Sequence, residues 1–155
     1  MPVKQGDLEL LQQPVAKELL ASKIPARVAY IASDGSPRVV PIWFHWTGSE
    51  VVLGTPPNAP KVRSLRKNPK VAITIDDNQF PHKVLLIRGT ARLEDVAGVV
   101  PEYAMAAERY FGQEQGQAWL KQLRGMTSSM VRIAIKPEWV GLLDFQTRFP
   151  SAISG

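Results

Sequence analysis

The sequence contains no cysteine and no long apolar run. Without cysteine the chain cannot form disulfides, thiolate zinc sites or a thiol nucleophile, and this composition is typical of a reducing compartment. No apolar stretch reaches the ~18 residues that a membrane-spanning helix needs. The segment MPVKQGDLELLQQP also lacks the apolar core of a secretory signal. We therefore expect a cytoplasmic protein that does not bind membranes.

Histidine is scarce, and the common catalytic motifs are missing. His45 and His82 are 37 residues apart, and neither has a carboxylate or cysteine partner at ligand spacing. P-loop, Rossmann, GxSxG and HExxH patterns are absent. We expect no metal site. No residue is identified as a general acid or base, so the catalytic residue stays unknown at this stage.

What the sequence does contain is an ordinary apolar fraction and a localised positive charge. The 155 residues are 45% hydrophobic with a net charge of +5, which predicts one domain over residues 1–155 with 1–13 and 146–155 as loose ends. Residues 61–92 carry eight basic and two acidic side chains. An excess confined to one stretch indicates an anionic partner there, and the alternative is a solvated basic surface.

Most of the chain has the period of β-strands. Helices are expected over 7–22, 60–68 and 99–124, the last with a break near Gly112 or Gly116. Because strands and helices do not alternate, the pattern predicts a mainly β fold, an antiparallel barrel or sandwich with peripheral helices. Pro41 cannot donate to a ladder, so its strand should lie at an edge or contain a bulge. The predicted strands are 26–32, 38–46, 50–55, 71–76, 83–95, 130–135 and 138–145, with a hinge at 136–137 between the last two.

One stretch has the features of a phosphate site. A strand ends in Gly54-Thr55 and a helix begins near Lys61, and a helix start offers unpaired N–H groups and a positive dipole. At ~100° per residue, Lys61 and Leu65 share one side of this helix, and Arg63, Arg66 and Lys67 share the other. We predict that the Thr55 hydroxyl and the Lys61 ammonium hold a phosphate; the alternative is a surface lysine beside an ordinary turn.

Six segments together resemble a known family. DGSP, RVVPIWF, the LGT strand end, PKVRSLRKNPKVAI, KVLLIRGTARL and KPEWVGLLDF are similar to the split-barrel flavin-binding proteins related to pyridoxamine 5′-phosphate oxidase, over about residues 14–145. The resemblance implies an antiparallel split β-barrel that binds FMN or the deazaflavin coenzyme F420. It also implies hydride transfer to or from a small molecule, in a homodimer with the cofactor at the interface. A non-catalytic carrier of flavin or haem on the same scaffold remains the alternative.

The resemblance also assigns site residues. Arg38, Val39 and Val40 would line the flavin ring edge and ribityl chain, and Val84 and Trp139 would meet the cofactor of the partner subunit. Where the oxidases have an arginine directly before the phosphate lysine, this chain has Pro60, and the closing DFQTRFPSAISG lacks their Arg-x-His clamp. True pyridoxamine phosphate oxidation is therefore not expected. The full set of implied cofactor-binding residues is Arg38, Val39, Val40, Pro41, Gly54, Thr55, Lys61, Arg63 and Val84.

The basic stretch bears on the choice of cofactor and of partner. Arg63, Arg66 and Lys67 would suit the acidic tail of F420, which favours F420 without excluding FMN. The same charges with Trp43 and Trp46 would also fit a barrel that binds single-stranded nucleic acid. Because packing explains those tryptophans equally well, we expect a small-molecule substrate and no nucleic-acid partner.

Overall fold

The computed structural model describes residues 3–154, and its centre is one antiparallel sheet. In sheet order the strands run β2-β1-β5-β6-β7-β4-β3, which confirms the antiparallel split β-barrel with peripheral helices. The two edge strands, β2 and β3, follow each other in the chain with only Trp43 and Phe44 between them. The strands are β1 (Ala26–Ile31), β2 (Pro37–Ile42), β3 (His45–Trp46), β4 (Val51–Thr55), β5 (Lys70–Asp76), β6 (Val84–Ala97) and β7 (Ser129–Leu143).

Residues 3–154 form five α-helices outside the sheet. The expected break in the third helical stretch falls at Gly112, whose φ of 88° is a left-handed conformation that favours glycine. No helix among residues 3–154 combines the length and the apolarity needed to cross a bilayer. The helices are α1 (Pro14–Leu20), α2 (Pro60–Lys67), α3 (Pro101–Phe111), α4 (Gln113–Met126) and α5 (Ser151–Ser154), and a 3-10 helix precedes them at Leu8–Gln12.

The core follows the alternation of the strands. On β6, Leu85, Ile87 and Ala91 are buried, as the sequence pattern predicts, and the intervening side chains lie on the outer face. Phe44 is fully buried. Burying each large apolar side chain contributes roughly 1.5–3 kcal/mol, so these inner faces are the main source of stability.

Two strand predictions are wrong in detail. The expected strand 38–46 is interrupted at Trp43 and Phe44, where the chain leaves one sheet edge for the other and Arg109 donates to the Phe44 carbonyl. The two expected strands on either side of 136–137 are a single strand, β7. The register skips Glu138 between the Arg88–Trp139 and Gly89–Pro137 pairs, which is a bulge in β7. The strands approach closely there, since a Cβ at Gly89 would lie 2.2 Å from the Lys136 carbonyl oxygen.

The N-terminal segment is packed against the sheet, contrary to the expected loose end at 1–13. The Gln5 side chain donates to the Leu142 carbonyl at 2.7 Å and accepts from the Leu142 N–H at 2.8 Å. Asp7 caps the 3-10 helix, and Leu10 is fully buried. Residues 1 and 2 lie outside the described residues. At the other end, the Arg148 guanidinium donates to the Val3 carbonyl at 2.7 Å, which ties part of 146–154 to the N-terminal segment.

Candidate functional site

The start of α2 is the first part of the candidate site. Pro60 is at the first helical position, and Ala59 before it has no side chain that can accept from the helix N–H groups. Lys61 and Leu65 lie on the same, inward side of the helix, as predicted, with Leu65 fully in the core. Pro60 has no N–H, and the Val62 N–H donates to the Ala59 carbonyl at 3.0 Å. Of the first three positions, Lys61 is therefore the one that can offer a backbone N–H to an anion, beside its inward-directed ammonium.

Lys61 is half-buried and has no hydrogen bond or ion pair with any residue that the structure describes. Burial lowers the pKa of its ammonium, because the charged form has lost part of its hydration. Such a group gains stability from a bound anion, which would replace the lost water and raise the pKa again. The position of Lys61 therefore suits an anionic group such as a phosphate.

β4 ends at Gly54 and Thr55, and α2 begins shortly after them in the chain. Thr55 is 2% exposed, and its hydroxyl forms no side-chain hydrogen bond within the described part of the chain. A Cβ at Gly54 would lie 2.9 Å from Tyr103 Cβ, so glycine also has a packing reason at this position: α3 passes directly over it.

Two of the three basic side chains on the outer side of α2 already have partners within the chain. Arg66 pairs with Asp95 at 3.2 Å, and the Lys67 ammonium donates to the Ser33 carbonyl at 3.2 Å. Within residues 3–154, Arg63 is the member of this outer cluster without an ion pair or side-chain hydrogen bond. An acidic ligand tail would therefore meet Arg63 first.

Arg38 and Arg63 lie on one depression between the β1–β2 turn and α2. Its volume is about 220 Å³, and Pro60 and Asp34 also line it. Arg38 is held there by Asp34 at 3.4 Å and by the Ser36 hydroxyl at 3.0 Å. The structure thus brings Arg38 on β2 next to the helix that carries Lys61.

The other predicted residues of β2 occupy its edge. Val39 is 65% exposed, and Val40 packs against the core. Pro41 has no N–H to donate, and its strand pairs only with β1 among the strands of the described residues. The predicted edge position of Pro41 is confirmed. With no second neighbour, this side of β2 leaves backbone groups free for a ligand.

Val84 lies far from these residues within one chain. It begins β6 opposite Leu143, whereas the α2 side chain of Arg66 reaches Asp95, eleven residues further along the same strand. At ~3.3 Å per residue, the length of β6 between Val84 and Asp95 is at most roughly 36 Å. Val84 therefore lies at the opposite end of β6 from the residue that pairs with α2.

An aromatic cleft next to this site is not anticipated by the sequence. It has a volume of about 560 Å³ and lies between β2 and the α3–α4 pair. Trp43 stacks on Tyr110 with ring centroids 5.2 Å apart and meets the edge of Phe111 at 4.8 Å. The cleft is lined by Pro25, Pro41, Ile42, Trp43, Tyr103, Phe111 and Trp119. The aromatic residues that recur along 99–124 are the sequence feature that hints at this cleft, but the same pattern equally predicts ordinary helix packing.

Neither histidine joins the site. His45 lines a separate cleft with Lys17 and Arg109, and desolvation, together with the positive charge of Arg109, lowers the pKa of its imidazole. His82 Nδ1 is 3.3 Å from the Asp77 carbonyl oxygen in the loop before β6. Among residues 3–154, no three potential metal-ligating side chains of His, Cys, Asp or Glu converge.

The chain forms a single antiparallel sheet whose two edge strands are successive in sequence, and a basic helix lies next to one edge. This arrangement places the fold in the split-barrel class. The family model described as pyridoxamine 5′-phosphate oxidase matches residues 13–144, and the chain belongs to that family. Comparison with curated proteins gives no match.

Solved structures share the fold. An F420 reductase is 24% identical with a TM-score of 0.61, covering 79% of this chain and 93% of its own. A conserved hypothetical protein from Mycobacterium tuberculosis is 20% identical with a TM-score of 0.65, covering 93% and 88%. HutZ, the haem storage protein from Vibrio cholerae, is 20% identical with a TM-score of 0.60, covering 85% and 93%. The scaffold is therefore one that both a reductase and a haem-storage protein use.

Proposed function

We propose that this chain binds FMN or the deazaflavin coenzyme F420 and transfers hydride to or from a small molecule. The observation that carries the proposal is Lys61, a half-buried ammonium that has lost hydration and has gained no partner within residues 3–154. It stands at the start of α2, six residues beyond Thr55, where its own backbone N–H would be a second donor to a phosphate.

In this proposal, Lys61, Thr55 and the first turn of α2 hold the phosphate, and the free edge of β2 at Arg38–Pro41 lies along the ring. When bound, the cofactor would supply the hydride chemistry, and the protein would supply position and electrostatics. Arg63 would remain available for the longer, acidic coenzyme. Because the fold is similar to that of an F420 reductase, F420 is tested together with FMN in each binding experiment.

We also propose that the working unit is a homodimer. The outer faces of β1 and β5 carry Ala29, Ile31 and Ala72 around a shallow depression of about 540 Å³. Two of the three charged side chains that line it are engaged: Arg88 lies 3.9 Å from the centre of the Trp139 ring, and Glu138 accepts from Thr90. The third, Lys70, is exposed and has no ion pair within residues 3–154. A second copy on this face would bring its Val84 and Trp139 towards the interface.

Light scattering tests the dimer. Ala29→Glu places an unpaired charge between Val39 and Ala72, so it should weaken association by about 100-fold or more, whereas Ala118→Glu on exposed α4 should not. A parent chain that is monomeric at micromolar concentration would remove both the dimer and the role of Val84.

The competing function is a non-catalytic carrier of flavin or haem. One observation favours haem: His45 lines an open cleft of about 470 Å³, and its lowered pKa favours the neutral imidazole, which is the form that ligates iron. A relative of the same fold is named a haem storage protein.

Spectroscopic titration with FMN, F420 and haem separates these functions. We expect saturable binding of FMN or F420, and reduction or reoxidation of the bound cofactor that is faster than that of the free cofactor. Haem binding that disappears in His45→Ala, with no flavin binding, would support the carrier. Binding of none of the three would reject both.

A further inference from the structure

The aromatic cleft lies between the two stretches to which the proposed function assigns the cofactor. Pro41 and Ile42 continue the β2 edge from Arg38–Val40, and Tyr103 packs directly over Gly54 at the end of β4. A molecule in the cleft would therefore be adjacent to whatever β2 and β4 hold.

The chemistry of the walls restricts that molecule. No lining side chain is charged, and four of the seven are aromatic. Trp43 offers a flat ring already stacked on Tyr110, and Phe111 stands at 90° to it. A flat ring fits such walls by stacking or edge contact, whereas a charged group would lose its hydration without compensation.

One directed polar group interrupts the apolar lining. The Tyr103 hydroxyl accepts from Trp119 Nε1 at 2.9 Å. Within the described part of the chain its own proton has no acceptor, so it can donate to a ligand. The hydrogen bond from Trp119 Nε1 holds the Tyr103 hydroxyl in the cleft wall. The same bond restricts the directions in which the Tyr103 O–H can donate.

We propose that this cleft binds the substrate, and that the substrate is a flat, uncharged aromatic molecule with a carbonyl-type oxygen that accepts from Tyr103. The assignment as substrate rests on the proposed function, whereas binding itself needs no cofactor. Tyr103 is a substrate-binding residue in this proposal.

Calorimetry on the cofactor-free protein tests the cleft with two matched probes. 2-Acetonaphthone is flat, uncharged and has one ketone oxygen, and 2-naphthoate has nearly the same shape with a negative charge. We expect the ketone to bind with a dissociation constant on the order of 100 µM, and the carboxylate at least about 10-fold more weakly. Equal binding of the two probes, or no binding of the ketone, would overturn the proposal.

Three variants locate the binding. Phe111→Asp places a charge in the cleft and should weaken ketone binding at least about 10-fold, whereas Phe80→Asp, on a loop phenylalanine that is 77% exposed, should leave it unchanged. Tyr103→Phe removes only the hydroxyl and should weaken the ketone about 5- to 10-fold. If Phe111→Asp unfolds, Tyr103→Phe still decides the result.

The same variants separate this proposal from the proposed function. FMN and F420 affinity should be unchanged in Phe111→Asp, because Lys61 and the β2 edge remain. If that variant loses the cofactor as well, the cleft holds the cofactor ring and the inference is wrong. If light scattering shows that it dissociates an oligomer, a second copy covers the cleft and the inference is equally wrong. Absence of cofactor binding in the parent chain rejects the proposed function, while ketone binding is still measured independently.

Discussion

The two halves of the sheet differ in regularity. β6 and β7 pair continuously from Val84–Leu143 to Ala97–Ser129 with one bulge. β2 pairs on one side only, and β3 is two residues long. The regular half buries alternate side chains and leaves few backbone groups free, while the irregular half leaves a strand edge, an aromatic cleft and the nearby ammonium of Lys61. We therefore expect stability and binding to depend on different parts of one small barrel, and substitutions in each part test this separation.

The largest expected effect falls on the regular half. Gly89→Ala would place a Cβ 2.2 Å from the Lys136 carbonyl oxygen, and neither backbone can move without breaking the ladder. We expect the free energy of unfolding to fall by about 3 kcal/mol or more. Gly125→Ala on α4 meets nothing within 4 Å and should instead add about 0.4–1 kcal/mol. Urea denaturation measures both, and a neutral Gly89→Ala would show that the bulge is not fixed.

A smaller effect is expected where α3 joins β7. Glu102 accepts from Arg132 Nη2 at 2.8 Å and from Nε at 3.0 Å, and the side chains are 17% and 18% exposed. Glu102→Gln should cost about 1.5–3 kcal/mol at neutral pH, and Glu114→Gln, on exposed α4, close to nothing. Equal losses in the two variants would contradict a specific role for this pair.

The pair also gives the regular half a pH dependence. The hydrogen bonds from Arg132 lower the pKa of Glu102 in the folded state, so the stability they provide is present above its ordinary value of 4.5 and is lost as pH falls through the lowered value. Unfolding followed from pH 7 to pH 3 should show a flatter acid limb in Glu102→Gln than in the parent. An unchanged slope would mean that another carboxylate controls acid unfolding.

The alternation of Leu85, Ile87 and Ala91 predicts the regular half correctly, because each side chain there obeys a local period. The inward side of Lys61 is predictable for the same reason, from its four-residue spacing to Leu65. The break at Trp43 and Phe44 is not predictable in this way, because the apolar strand pattern of the sequence continues through these two residues. The strand stops there because the chain crosses from one edge of the sheet to the other.

The aromatic cleft escapes the sequence for a different reason. Trp43 lies on the connection between the sheet edges, and Tyr103 and Trp119 come from two helices far along the chain. Their proximity exists only after α3 has packed on Gly54, which no local spacing encodes. The separation of Val84 from Lys61 within one chain likewise depends on strand register.

The smallest expected effect distinguishes the two cofactors at the irregular half. Arg63 is exposed and, within residues 3–154, has no ion pair, so Arg63→Ala should lower F420 affinity about 3- to 10-fold and FMN affinity less than about 2-fold. Arg66→Ala is the matched control, because Arg66 is already paired with Asp95. Calorimetry with both cofactors gives the comparison, and an equal loss for FMN would place Arg63 at the phosphate.

The most direct test of the account compares FMN with riboflavin, which lacks the phosphate, on the parent chain, Lys61→Ala and Lys121→Ala. A charge-assisted hydrogen bond contributes about 1.5–3 kcal/mol, so Lys61→Ala should weaken FMN binding roughly 10- to 150-fold. It should leave riboflavin binding unchanged, and Lys121→Ala, on exposed α4, should affect neither ligand. Equal losses for FMN and riboflavin, or no loss for FMN, would contradict the assignment of the phosphate to Lys61.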